Sequence, residues 1–504
     1  MGLTVQSIDE ILAPYVEKEY NRLVDEIILE HSLVSSDIMD LNLDKVKKLA
    51  FRKVIKELEQ GLQAMEIAFN TLPSSRGDFV FVTYTFGLGQ DEWSRLVAKK
   101  IMEVRNAGQG VARIPQLFPK LVYLYDKELH AEGKPMREDF VNAVYCQSQT
   151  MFPDLLSMTP GENVDTDGNY FEVYGKYGVP TSPMGCRSFL SPYYEKGGFH
   201  QVDENDKPVT VGRGNLGVIS LNLPLIYMLA KREDTDFYEV LHHYLNMAFN
   251  IHLRTKGFLG SKKASTHPLA YCQGGFYNGH LNPEDKIEPV LESFTASIGI
   301  TALHELTILH TGHGIYEDNT FAKEVMQYIN DECAKYKEEN HIAVATYGAP
   351  AESLCRTQVV QFRNEFGIVP GVSDKEYFTN SFHCSVALEI NPFQKQDAEY
   401  DLFHMLMGGH IQYVRVNTKD NLQANLALAD RAMELGYYFG VNLHNCYCED
   451  CGHNFLDGTN CPECGSGNIT EINRVSGYLG YSRIKGGSRM NDGKLAEIHD
   501  RVSM

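Results

Sequence analysis

The sequence predicts an α/β protein: one large domain followed by a short cysteine-rich module. Three observations carry this. Segments rich in β-branched and aromatic residues alternate with segments of helical hydrophobic spacing. The chain has 504 residues, 43% of them hydrophobic, which is enough for a large buried core. No Pro- or Ser-rich linker interrupts it before residue 440 or so, after which four cysteines fall into two Cys-x-x-Cys pairs.

The elements follow in order. Ser7 with Glu10 has the form of a capping box, and Ile8, Leu12, Tyr15, Leu23 and Ile27 follow at near-helical spacing, with Pro14 expected to kink or interrupt the helix. Asp44 opens a second helix with Val46, Leu49, Val54, Leu58, Leu62, Met65 and Phe69 on one side. These two amphipathic helices, within residues 1–72, read as a helical region for core packing, a dimer interface or effector binding. Pro73 to Gly77 breaks the pattern. Residues 79–86 read as a strand ending in Gly87-Leu88-Gly89, with a helix to follow at 93–104. Strands are expected at 119–125 and 215–223, and helices at 136–146, 234–253 and 289–310. The cysteine-rich stretch 443–470 lies within a module placed at 441–472, and residues 473–504 form a glycine loop and tail.

Charge and cysteine usage exclude several classes. A formal net charge of −20 disfavours a nucleic-acid polymer as partner, while leaving nucleotide monomers open. The most apolar run, 216–230, contains Asn222 and Pro224 and is too short to span a bilayer. Eleven cysteines, an odd number, without a signal peptide point to reduced thiols in a cytoplasm.

Cys448-x-x-Cys451 and Cys461-x-x-Cys464 have the spacing of a closed tetrahedral zinc site, with Cys446 a nearby spare. The metal would anchor a module with too few apolar residues to fold alone. Just beyond stands Arg474-Val475-Ser476-Gly477-Tyr478-Leu479-Gly480. A glycine there fits an ordinary turn, where it relieves the cost of positive φ. Taken alone, that turn reading is favoured. Pro183-Met184-Gly185-Cys186-Arg187 reads as a tight loop carrying a cysteine. Asn215 opens a strand, either as a cap or as an amide that donates and accepts at once. Gly348-Ala349-Pro350-Ala351-Glu352-Ser353 reads as a loop entering a helix, with Pro350 near N1 and free N–H groups suited to an anion.

The cysteine pairs followed by Arg-Val-Ser-Gly-Tyr-Leu-Gly resemble the C-terminus of the anaerobic (class III) ribonucleotide reductases. The resemblance extends over nearly the whole chain: Phe86-Gly87-Leu88-Gly89, Phe118-Pro119-Lys120-Leu121-Val122, Tyr271 to Tyr277, Gly279 to Pro283, Pro350 to Leu354, Gly408 to Val414 and Arg489 to Lys494 all resemble family blocks. It implies a ten-stranded α/β barrel with a finger loop reaching its centre. It implies a glycyl radical on Gly477, installed by a separate activase that uses S-adenosylmethionine and a [4Fe–4S] cluster, and a thiyl role for Cys186. It further implies that Asn215 holds the ribose hydroxyls, that Met184 borders the substrate, and that Ala349, Ala351 and Ser353 cradle its phosphates. The activity implied is reduction of ribonucleoside triphosphates to deoxyribonucleoside triphosphates in a homodimer under dNTP/ATP effector control. Formate or a thioredoxin-like protein would supply electrons.

Ser476 stands where many family members have cysteine, and related motifs occur in lyases and dehydratases of the glycyl radical group. Those activities, and an inactive zinc-ribbon remnant, are the alternative readings. The family segment expected before Thr4-Val5 is not in this sequence, which leads to the expectation of a separately encoded N-terminal fragment or a truncated reading frame rather than a reduced variant.

Overall fold

The computed structural model describes residues 2–34, 42–71, 81–110, 112–484, 487–488 and 490–502. The expected break at Pro73 to Gly77 and residue Arg489 of the tail block lie outside these.

Two sheets form the scaffold. The first has six strands in the order β1 (Gly2–Val5), β2 (Phe81–Phe86), β3 (Lys120–Tyr125), β4 (Asp154–Ser157), β9 (Tyr438–Asn442), β8 (Gln412–Arg415). Its pairs are parallel except β4 with β9, so its two parallel blocks run in opposite directions. The second sheet holds β5 (Asn215–Ser220), β6 (Thr295–Ile300) and β7 (Ala343–Gly348), all parallel. β3, β4, β6, β7 and β9 are buried throughout, as parallel strands covered on both faces must be. The Gly408 amide donates to the Thr346 carbonyl (2.6 Å) and the Gly348 amide to the Gly409 carbonyl (2.9 Å), so the segment before β8 is tied to β7. The architecture is thus mixed α/β. Among the described residues no ladder joins β1 to β5, so the ladders do not show closure of the expected ten-stranded barrel, whose N-terminal part was expected to be incomplete.

The N-terminal helices span Ile8–Val34 and Leu43–Thr71 and pack on the helix Glu92–Ala107. Pro14 lies inside the first without interrupting it. The expected capping box is not formed, because Ser7 takes φ +50° and its amide donates to Thr85 Oγ1 (3.1 Å) rather than to Glu10. The expected helix 289–310 is really three elements: a turn of helix at Glu288–Leu291, strand β6, and a helix at Leu303–Thr311. The residues Thr295, Ile298 and Ile300, with small Ala296, Ser297 and Gly299 between them, suit the fully buried centre of a sheet better than a helix.

The chain ends in a four-stranded antiparallel sheet, ordered β11 (Asn454–Leu456), β10 (Asn445–Cys448), β12 (Ile469–Arg474), β13 (Leu479–Arg483). Strands β12 and β13 are joined by the loop 475–478, so the cysteine module and the glycine loop share one sheet. The last helix, Asp492–His499, packs on the helix Leu354–Phe366.

Candidate active site

The cysteine finger is built from a tight reversal. The Met184 amide donates to the Ser188 carbonyl (2.7 Å) and the Ser188 amide to the Met184 carbonyl (3.2 Å), with Gly185 at φ +61° in the turn. The finger lies between the two sheets. On one side Thr4 Oγ1 donates to the Pro183 carbonyl and Thr83 Oγ1 to the Gly185 carbonyl, both at 2.8 Å. On the other, the Phe189 amide donates to the Gly408 carbonyl (2.9 Å). Gly409 is required here, since a Cβ would fall 1.9 Å from the Arg187 carbonyl oxygen.

Gly477 faces Cys186 directly. A Cβ on Gly477 would lie 2.5 Å from Cys186 Cβ and 3.2 Å from both its Sγ and its carbonyl oxygen. Gly477 does not have positive φ, so the ordinary-turn reading does not explain it. Glycine is needed because no side chain fits while the finger stays in place.

One side chain ties the two loops together. Lys120, wholly buried on β3, directs its ammonium at the Cys186 carbonyl (2.6 Å), the Gly477 carbonyl (2.6 Å) and Asp154 Oδ2 (2.8 Å). Those three acceptors match its three N–H donors. Burial pushes its pKa down to about 8, against the opposing pull of Asp154. Asp154 also accepts from Arg474 Nη2 (2.8 Å), so the arginine of the glycine motif is anchored by the same carboxylate. Arg474 further donates to the carbonyls of Met151 (2.9 Å) and Val441 (3.1 Å).

Around the thiol, Tyr347 Oη lies 3.7 Å from Cys186 Sγ and Tyr438 Oη donates to the Cys186 carbonyl (3.3 Å). Burial raises both phenols well above their usual range, so they remain protonated donors. Arg187 lies beside the thiol and donates to Tyr413 Oη (2.6 Å) and the Gly348 carbonyl (3.3 Å). Lys120, Asp154, Tyr347, Tyr438 and Tyr413 were missed by the sequence reading. The available signal was a lysine opening a strongly apolar strand, where a charge is found only when paired.

The remaining predicted residues converge on the same place. Asn215 Nδ2 donates to Ser297 Oγ (2.8 Å) and to Ser188 Oγ on the finger (3.3 Å), while its Oδ1 accepts from the Gly217 amide (2.7 Å). Both its cap-like and its donor-acceptor character are therefore visible. In the loop after β7, the Ala349 amide is engaged by the Ile300 carbonyl (3.2 Å), whereas the amides of Ala351, Glu352 and Ser353 have no protein acceptor among the described residues. The helix begins at Leu354 with Ser353 as its N-cap, so Pro350 lies ahead of N1 rather than at it. Glu352 hydrogen-bonds Tyr478, whose phenol is raised mainly by burial, linking this loop to the glycine loop.

In the terminal module, Cys448 Sγ lies 3.6 Å from Cys464 Sγ and Cys451 Sγ 3.6 Å from Cys461 Sγ, with all four sulfurs within 4.8 Å of one another. These are not disulfides, which require about 2.05 Å. They fit four thiolates about 2.3 Å from one ion, whose mutual spacing is roughly 3.8 Å. Cys446 stands outside this set, beside His444 and Glu471.

A half-buried cysteine at a finger tip, closed over by a glycine with no room for a side chain, is the arrangement that the resemblance to the glycyl radical enzymes implies. The fold agrees. A solved anaerobic ribonucleotide reductase superposes with TM-score 0.63 at 16% identity, covering 90% of this chain and 68% of that one. The B12-independent glycerol dehydratase of Clostridium butyricum superposes with TM-score 0.52 at 11% identity over 88% of this chain and 61% of its own. The anaerobic ribonucleoside-triphosphate reductase profile matches residues 2–504. The enzyme of that name from Escherichia coli K12 is 32% identical over 520 aligned positions, which cover 99% of this chain and 68% of that one; the phage T4 enzyme is 32% identical, covering 99% and 79%. The chain belongs to the anaerobic ribonucleoside-triphosphate reductase family, and is an oxidoreductase that reduces ribonucleotides. It spans 68% to 79% of the length of these relatives, and nothing in them supports the expected separately encoded N-terminal fragment. Among the described residues no helix is long and apolar enough to cross a membrane.

Proposed function

We propose that Cys186 removes the 3′-hydrogen of a ribonucleoside triphosphate, and that Gly477 stores the radical from which the Cys186 thiyl is drawn. The observation that carries this is the direct seating of Gly477 on Cys186, with Lys120 gripping both carbonyls. Activated Gly477 would supply an unpaired electron; the chain's own residues position and protect it. Lys120, Asp154 and Arg474 hold the loop against the finger. Tyr347 and Tyr438 present protonated phenols that solvate the cysteine without offering a base. The water-excluding aromatic surround limits side reactions of a radical.

Asn215 and Met184 flank the finger where the ribose would sit, Asn215 holding its vicinal hydroxyls. The free amides of Ala351 and Ser353 would receive phosphate oxygens, with Ala349 shaping the loop rather than donating. Cys448, Cys451, Cys461 and Cys464 would hold one zinc ion, which would stiffen the sheet that presents Gly477. A separate activase, using S-adenosylmethionine and a [4Fe–4S] cluster, would install the radical, and formate or a thioredoxin-like protein would serve as reductant. Exposed Ile11, Tyr15, Leu29 and Ile67 on the N-terminal helices support a homodimer contact, with effector dNTP or ATP bound in that region. The reduced thiols fit a cytoplasmic setting.

The test is Cys186→Ser. A serine oxygen radical is far harder to generate than a sulfur one, so the variant should accept a glycyl radical, seen by anaerobic EPR, and form no dNTP. Retained dNTP formation would overturn the assignment.

A further inference from the structure

Behind the glycine loop lies a cavity of about 70 Å³, which the proposed mechanism does not use. Its walls come from the β12 end (Arg474, Val475, Ser476), from β8 and β9 (Tyr413, Arg415, Asn442), from loop 379–386, from the C-terminal helix (Lys494, Glu497) and from Arg501 and Val502 beyond that helix. Neither Cys186 nor Asn215 lines it. It is far smaller than the several hundred Å³ of a nucleotide-sized pocket.

The charge in this cavity is unbalanced. Lys395, Arg415, Arg474, Lys494 and Arg501 line it against one carboxylate, Glu497. Lys395 is paired with Glu399 and Arg474 with Asp154, while Lys494 and Arg501 share Glu497. Arg415 has no ion pair among the described residues; burial and then the nearby Arg501 lower its pKa, only partly offset by the fields of Asp457 and Glu497. Like charges do not face each other in a half-dry site without a counter-ion.

Five of the buried polar atoms left without partners line the same cavity. Arg415 Nη1, Arg501 Nη1 and Ser476 Oγ are buried donors with no acceptor; His383 Nε2 and Asn380 Oδ1 are buried with no partner. The Arg501 side chain is only 8% exposed and its other nitrogens are committed, to Glu497 and to the Arg474 carbonyl. Buried polar groups are satisfied in native proteins, so several orphans around one cavity mark a missing ligand.

We propose that this cavity binds one small oxyanion between Arg415 and Arg501, with Ser476 as a further donor. The ion would bridge the glycine strand to the C-terminal helix. A hydrogen-bearing oxyanion such as hydrogenphosphate would satisfy both the donors and the acceptors, and a bare carboxylate the donors only.

The test uses the full chain without activation. Thermal unfolding and calorimetric titration are run with sodium phosphate, sodium acetate and, at matched ionic strength, sodium chloride. A saturable rise in unfolding temperature with phosphate or acetate beyond chloride is expected, and the ion that produces it identifies the class. Arg415→Gln should weaken binding at least tenfold. Without the oxyanion it should unfold no earlier than the parent, because it removes a like-charge neighbour of Arg501. Ser476→Ala, a small change, should also weaken binding. Absence of a saturable effect with either ion, or unchanged binding in both variants, would overturn the proposal.

Discussion

Replacing Lys120 by methionine keeps most of the side-chain volume and removes the ammonium. Three short contacts vanish, to the carbonyls of Cys186 and Gly477 and to Asp154. Hydrogen bonds to a charged group contribute about 1.5–3 kcal/mol each, and removing one partner of a buried ion pair costs about 3–5 kcal/mol. These overlap, and Arg474 still compensates Asp154. The expected loss is therefore about 3 kcal/mol, concentrated where the glycine loop meets the finger. In native-state hydrogen exchange, the amides at 475–480 should open about two orders of magnitude more often, while those of the fully buried strand β6 should not change. Adding Asp154→Asn should cost less than the sum of the single changes, because the two groups form one network. The glycyl radical yield should fall with the loop's occupancy. If loop exchange in Lys120→Met stays within a factor of three of the parent, Lys120 does not hold the loop and the reasoning fails.

The remaining predictions concern the same assembly. Lys120 has a folded pKa of about 8 against 10.5 for an ordinary lysine, so between those values the unfolded chain holds more protons; this group makes stability rise with pH there, while the native ammonium loses one of its three N–H donors. The unfolding free energy of the non-activated chain should therefore rise from pH 8 to 9.5 relative to that of Lys120→Met, which lacks this component. Gly477→Ala should destabilise the non-activated chain by about 1–3 kcal/mol through overpacking. Cys186→Gly should recover most of it, whereas Cys186→Ala, which keeps the clashing Cβ, should not; additive unfolding free energies would contradict the contact. Single Cys→Ser changes at Cys448, Cys451, Cys461 or Cys464 should each lower bound zinc by elemental analysis, while Cys446→Ser should leave it at one equivalent.

How much could be read without the structure differs from element to element. The cysteine spacing, the glycine motif and the Pro183 to Leu190 finger were legible because each is a local pattern whose chemistry depends on neighbours in sequence. The N-terminal helices were legible because 3.6-residue periodicity is local too. The stretch 289–310 was misread: a short, wholly buried strand between helical turns has no periodicity to betray it, and only pairing with β5 and β7 makes β6 a strand. Sheet order was likewise beyond the sequence, since the antiparallel seam between β4 and β9 joins residues nearly three hundred positions apart. The reason for Gly477 changed in kind. The residues alone favoured a turn and the resemblance implied a radical; tertiary structure adds a packing reason for glycine, since its φ is not positive and the Cys186 side chain stands where a Cβ would go. Lys120 belongs wholly to the structure. Nothing local says that a lysine opening an apolar strand will meet two carbonyls 66 and 357 residues away, because only folding makes them neighbours.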